Sequence, residues 1–147
     1  MKKSMNILLV EDNEGDIELT KIAFREGNLA SKLSVAHDGA EALAYLSQEG
    51  VFEDTQRPDL IMLDLNMPVM SGKELLEIIK KDDKLKSIPV IVFTSSNARS
   101  DVSECYNLHA NSYILKPSNL EDYIQVAKRV EDFWTDIAQL PYLSESW

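Results

Sequence analysis

The chain has 147 residues, with fifteen Lys and Arg against twenty-five Asp and Glu, for a net charge of −10. One domain of this size buries enough surface to fold without disulfides or metal, and its single Cys and two His exclude a multi-cysteine or three-histidine metal centre. The acidic balance argues against a nucleic-acid-binding surface and against docking on an anionic membrane.

Met1-Lys2-Lys3 could begin a signal peptide, but the apolar run that follows, Ile7 to Val10, is short and stops at Glu11-Asp12. No run approaches the length of a membrane span. These features predict a soluble, cytoplasmic protein.

Five short apolar runs follow one another: Ile7–Val10, Leu33–Ala36, Leu60–Leu63, Val90–Phe93 and Tyr113–Leu115. They are nearly continuous rather than alternating, as in parallel strands covered on both faces. Between them, helical spacing runs through residues 14–27 (Ile17, Ile22, Phe24), 39–49 (Ala42, Leu43, Leu46), 73–82 (Leu75, Leu76, Ile78, Ile79) and 98–108 (Val102, Cys105, Tyr106), and a longer helix over 119–138. Gly27-Asn28 is a natural end for the first. Residues 50–58 read as a polar surface loop. The alternation predicts a doubly wound α/β fold, with a five-stranded parallel sheet of order 2-1-3-4-5. Residues 1–138 form one domain in this reading, and 139–147 a tail with no output domain.

In such sheets ligands bind beyond the carboxyl ends of the strands, at the switch in strand order. Glu11 and Asp12 follow the first strand, Asp64 the third, Thr94 closes the fourth, and Lys116-Pro117 follows the fifth. Singly, each has a plain explanation: Asp12 could cap a helix, and Lys116 could be a surface lysine. Together, three carboxylates repel one another unless a cation sits among them. Oxygen ligands without Cys suit Mg²⁺, Mn²⁺ or Ca²⁺, and a carboxylate beside a metal and a lysine suits phosphoryl transfer.

These pieces in order, Leu8-Leu9-Val10-Glu11-Asp12, Asp64-Leu65-Asn66-Met67-Pro68 with Gly72, Thr94-Ser95, Tyr113 and Lys116-Pro117, resemble the receiver domain of two-component response regulators. The resemblance covers about Asn6 to Trp134. It implies that Asp64 accepts a phosphoryl group from a sensor histidine kinase. Glu11, Asp12, Asp64 and the backbone carbonyl of Asn66 would hold Mg²⁺, with Mn²⁺ also fitting. Lys116 would pair with Asp64 and then with the phosphoryl group, and the Lys116–Pro117 bond would be cis. Thr94 would bond a phosphoryl oxygen, and Tyr113 would swing inward behind it. This would switch the face made by the fourth helix, fifth strand and fifth helix. Asn66 and Ser96 would tune the phosphoryl lifetime. Catalysis would extend only to its own phosphorylation and dephosphorylation.

On the last helix, Leu120, Tyr123, Ala127, Val130, Trp134 and Ile137 suit the face on the sheet, and Val126, Phe133 and Leu140 form a second apolar line. Phe133 and Trp134 point about 100° apart, so one stripe does not easily bury both. Either Pro141-Tyr142-Leu143 folds back over Phe133, or the chain forms a homodimer through Val126, Phe133 and Trp134. Phe133-Trp134 and Leu140-Pro141 also resemble the stand-alone regulators paired with phytochrome-type sensor kinases, which tend to dimerise at this end. Cys105 reads as a packed hydrophobe, His37 and His109 as surface residues, and Lys80, Lys81, Lys84 and Lys86 as a solvated helix end.

A flavin carrier would need a phosphate loop where Glu11-Asp12-Asn13-Glu14-Gly15-Asp16 stands. A dinucleotide dehydrogenase would need a G-x-G-x-x-G that is absent. A haloacid-dehalogenase-type phosphatase would place its aspartate after the first strand. The remaining alternative is a receiver-shaped interaction module acting without phosphorylation.

Overall fold

A computed structural model describes residues 4–141. The order is β1 (Asn6–Val10), α1 (Glu14–Glu26), β2 (Lys32–Ala36), α2 (Gly39–Leu46), β3 (Leu60–Leu63), α3 (Gly72–Lys81), β4 (Val90–Thr94), α4 (Arg99–Asn107), β5 (Ser112–Leu115) and α5 (Leu120–Asp132). The strands pair in parallel in the order β2-β1-β3-β4-β5.

The period of two along each strand divides the core. Leu8, Val10, Ile61, Leu63, Val90 and Val92 face one side, where Ala42, Tyr45 and Leu46 of α2, Leu75, Leu76 and Ile79 of α3 and Cys105 of α4 cover them. Ile7, Leu9, Leu60, Met62, Ile91 and Phe93 face the other, under Ile17, Ala23 and Phe24 of α1 and Tyr123, Ala127 and Val130 of α5. Every residue of β3 and β4 is buried, so these strands read as unbroken apolar runs.

Side-chain caps set the helix starts. Asn13 accepts from the Asp16 amide, Asp38 from Glu41, Ser71 from Glu74 and Asn119 from Asp122. Asn13, not Asp12, is the cap of α1, so Asp12 keeps its carboxylate for other work.

Four expectations change. The 50–58 connection contains a 3₁₀ turn, Gly50–Phe52, and Phe52 packs on Tyr45 with ring centroids 5.5 Å apart. The last α-helix ends at Asp132, and Phe133–Ile137 continue as a π-helical turn. There the Ala138 amide donates to the Phe133 carbonyl at 2.7 Å, and the Thr135 hydroxyl donates to the Glu131 carbonyl at 2.7 Å. A hydroxyl on that carbonyl competes with the regular ladder. The turn leaves Ile137 72% exposed rather than on the sheet. Lys80 is no solvated lysine: its ammonium donates to the carbonyls of Ile88 (2.8 Å) and Lys86 (3.0 Å) and to Asn111 Oδ1 (3.2 Å), and burial lowers its pKa.

Of the second apolar line, Val126 and Leu140 pack, half-buried, against the α1/α5 core, as does Trp134. Phe133 stays 47% exposed, its ring edge-on to Trp134 at 5.2 Å. A cover of Phe133 by Tyr142 and Leu143 lies outside the described residues. No helix among the described residues is long and apolar enough to cross a membrane.

Candidate functional site

The ladder continues one residue past the strands and so fixes the site's backbone. The amide of Glu11 donates to Ala36, that of Asp64 to Val10 and that of Lys116 to Thr94, at 3.0, 3.0 and 2.8 Å. With Val10 paired to Leu63, Glu11 and Asp64 emerge side by side. Carboxylate oxygens of Glu11, Asp12 and Asp64 all lie within 4.8 Å of one another. Asp64 is buried and exposes only 6% of its surface. Its Oδ1 accepts from the Leu65 amide at 2.8 Å, while Oδ2 faces Lys116.

Lys116 is the cation of this cluster. Its ammonium lies 2.6 Å from Glu11 Oε1, 2.7 Å from Asp16 Oδ2 and 3.5 Å from Asp64 Oδ2. Burial alone would lower its pKa, but the bonds to Asp16 and Glu11 and the charge of Asp64 prevail and raise it. The lysine is therefore a fixed positive charge. Burial pushes the Glu11 carboxyl up to about 7, with Asp64 adding to the rise and the Lys116 bond opposing it. Clustered carboxylates carrying such a penalty suit a divalent cation.

Asp16 is the site residue that sequence reasoning missed. It sits at the third position of α1, with its amide on Asn13 Oδ1 at 2.9 Å and its carbonyl accepting from the Thr20 hydroxyl at 2.8 Å. Its partner, Lys116, lies 100 residues away in the chain, so local spacing gave no signal for it.

Thr94 is fully buried, and its hydroxyl has no hydrogen-bond partner among the described residues. Leaving a buried hydroxyl unmatched costs about 1–3 kcal/mol, which suits a group kept for a ligand oxygen. Tyr113 is half-buried against the α2–α4 side of the core, and its hydroxyl donates to the Ser96 carbonyl at 2.7 Å. The Ser96 hydroxyl donates to Asp101 Oδ2 at 2.5 Å. Asp101 Oδ1 in turn accepts from Lys73 at 2.6 Å, so the loop after β4 is tied to α3. Asn66 is exposed beside the cluster. The Lys116–Pro117 bond is trans, because no peptide bond among the described residues is cis; the lysine is aimed by its carboxylates instead.

In the loop after Asp64, Val69 has φ 68° and is fully exposed. A β-branched residue in that region is strained, a feature concentrated at functional loops. His37 lies on the surface, 3.2 Å from Glu41, and Cys105 is fully buried.

A doubly wound sheet with an acidic trio, a buried lysine and a partnerless threonine at its switch point is the architecture of a phosphoryl-accepting signalling domain. Residues 7–128 match the response regulator receiver domain, and the chain belongs to that family. It is similar to the response regulator Rcp1 of Synechocystis sp., 41% identical over 135 residues and covering 92% of each chain. It is 36% identical over 129 residues to a probable methanogenesis regulatory protein, FilR2, of Methanothrix harundinacea, covering 87% of this chain and 82% of the relative. Among solved structures, the phosphorylated cyanobacterial phytochrome response regulator RcpA superposes with a TM-score of 0.87 at 44% identity, covering 95% of this chain and 100% of that one. The Mn²⁺-bound form of Rcp1 gives 0.84 at 40% identity, covering 94% and 99%.

Proposed function

We propose that Asp64 takes a phosphoryl group from a phosphohistidine of a sensor histidine kinase, in a Mg²⁺-dependent reaction, and that the product switches the α4–β5–α5 face. The observation that carries this reading is the buried Asp64 carboxylate, flanked by Glu11 and Asp12 and faced by Lys116.

A carboxylate oxygen of Asp64 attacks phosphorus as the phosphorus–nitrogen bond to the donor imidazole breaks, and the electron pair leaves with that nitrogen. Glu11, Asp12, Asp64 and the Asn66 carbonyl would hold Mg²⁺, which supplies charge neutralisation for the crowded oxygens. Lys116 pairs with a phosphoryl oxygen. The Thr94 hydroxyl finds its partner there, and its shift vacates space for the Tyr113 ring. Tyr113 must then leave the Ser96 carbonyl, which loosens the loop before α4. Asn66 and Ser96 govern the access of water to the acyl phosphate. Beyond its own phosphorylation and dephosphorylation, the chain catalyses nothing in this reading.

Intact mass after incubation with acetyl phosphate tests it. One phosphoryl adduct is expected with Mg²⁺ and none with EDTA. Equal labelling in both would overturn the metal's part, and no adduct with Mg²⁺, with acetyl phosphate or with phosphoramidate, would overturn the reaction.

Similarity to the phytochrome response regulator RcpA supports a phytochrome-type kinase as the partner. The receiver match over residues 7–128 supports one receiver domain over residues 1–138 followed by the tail, acting in the cytoplasm where such a kinase would present its phosphohistidine. The exposed Phe133 and Ile137 beside Trp134 support a homodimer through the C-terminal helix face. A groove of about 420 Å³ there is lined by Ile91, Ile114, Val130, Phe133 and Trp134 among others. Val126 would contribute only its outer edge. Sedimentation velocity is expected to show a dimer that Phe133→Asp converts to monomer; a monomeric wild type, or a dimer untouched by Phe133→Asp, would exclude this interface.

A further inference from the structure

We propose that Asp16 is a positioning residue that holds the Lys116 ammonium back from the phosphoacceptor in the resting site. The inference rests on the phosphoacceptor reading of Asp64 and adds a control on how readily that residue is loaded.

The ammonium has three protons. Glu11 Oε1 at 2.6 Å and Asp16 Oδ2 at 2.7 Å take two of them in short, charge-assisted bonds. Asp64 Oδ2, at 3.5 Å, lies beyond ordinary hydrogen-bond range. The lysine therefore sits on the α1 side of the cluster, not on the acceptor. Lys116 is almost fully buried, with 6% of its side chain exposed, so its choice among these carboxylates is little screened by water.

Asp16 is well placed to hold it. The Asn13 cap fixes the backbone amide of Asp16, and the Thr20 hydroxyl fixes its carbonyl. The carboxylate thus stands on a rigid helix start, while the stem of Lys116 rises from the end of β5. A phosphoryl oxygen on Asp64 must draw the ammonium toward itself, and each step in that direction stretches the Asp16 bond. Asp16 and the phosphoryl group compete for one lysine. An Asn at position 16 keeps the shape and removes the charge, so the lysine closes on Asp64 more readily.

Beryllofluoride, which occupies the phosphoryl position on an aspartate, reads this competition without turnover. Its affinity in the presence of Mg²⁺ is to be titrated for the wild type, Asp16→Asn, Asp16→Ser and Glu14→Gln. Glu14 carries the same charge on the same turn, but its side chain is 80% exposed and does not touch Lys116. Asp16→Asn and Asp16→Ser are expected to tighten beryllofluoride by about tenfold, the low end for one charge-assisted hydrogen bond. Glu14→Gln is expected to change it by less than about twofold, as for an exposed charge. Unchanged or weakened binding in both Asp16 variants overturns the proposal. Equal tightening by Glu14→Gln also overturns it, because general relief of negative charge would then be the cause. A wild type that takes up no beryllofluoride with Mg²⁺ overturns the phosphoacceptor reading itself, a result separate from any difference among the variants.

Discussion

Asp64→Asn is expected to abolish phosphoryl uptake completely while leaving the protein folded. The amide oxygen of Asn can still accept from the Leu65 amide, which Asp64 Oδ1 now engages at 2.8 Å. Lys116 keeps its two short bonds, to Glu11 and Asp16, so no buried ammonium is left alone. One negative charge leaves a crowded acidic cluster, which lowers repulsion. Folding stability is therefore expected to hold or rise slightly, and the nucleophile is lost because a neutral amide oxygen does not attack phosphorus at a useful rate. Intact mass with acetyl phosphate and Mg²⁺, beside a thermal melt, checks both halves. An adduct of wild-type size on the variant would move the acceptor to another carboxylate, and Glu11 and Asp12 are the two within reach.

The five strands were legible because the central strands are covered on both faces and read as unbroken apolar runs, while the edge strands β2 and β5 keep shorter or interrupted ones. The structural bounds differ from those runs by no more than a residue at each end. The acidic pair, Asp64, Thr94 and Lys116 were legible for a related reason. Strand ends can be read, and the fold rule places ligands beyond them. Asp16 was not, since its partner lies 100 residues away in the chain and the contact depends on how α1 is rotated. That rotation is set by Asn13 as the cap, where Asp12 was an equal candidate from sequence. The π-helical turn depends on a hydroxyl choosing a carbonyl within its own helix, a competition that apolar periodicity does not register. Lys80 was misread because its acceptors come from the loop before β4 and from Asn111, all of them off its own helix, where helical periodicity gives no sign of them. The dimer-face residues divide for a physical reason too: α5 packs Val126 partly against the core, the turn after it does the same for Trp134, and only Phe133 of the three remains largely outside.

Gly72→Ala is expected to destabilise the fold and slow phosphorylation together, because one contact serves both. Gly72 opens α3, and its amide donates to the Leu65 carbonyl at 2.9 Å. A methyl group there would lie 2.1 Å from the Asp64 carbonyl oxygen and 2.7 Å from the Leu65 Cα. Both are backbone atoms, so no rotamer change relieves the clash. The chain must move, either by lifting the α3 start or by shifting the segment that carries Asp64. Alanine would ordinarily favour the helix by about 1 kcal/mol over glycine. Forced overpacking of a buried site costs about 1–3 kcal/mol and sometimes more. With contact this close, the upper end applies, and a net loss of about 2 kcal/mol is expected. For a domain of this size that lowers the melting midpoint by roughly 4–8 °C. The same displacement moves Asp64 relative to Glu11, Asp12 and Lys116, whose backbones are held by other strands. Transfer depends on that alignment, so the rate of acetyl phosphate labelling is expected to fall at temperatures where the variant is fully folded. A variant that melts and labels like the wild type would show that the α3 start yields freely. An unchanged labelling rate with a lowered midpoint would show that the helix, rather than the acceptor segment, gives way.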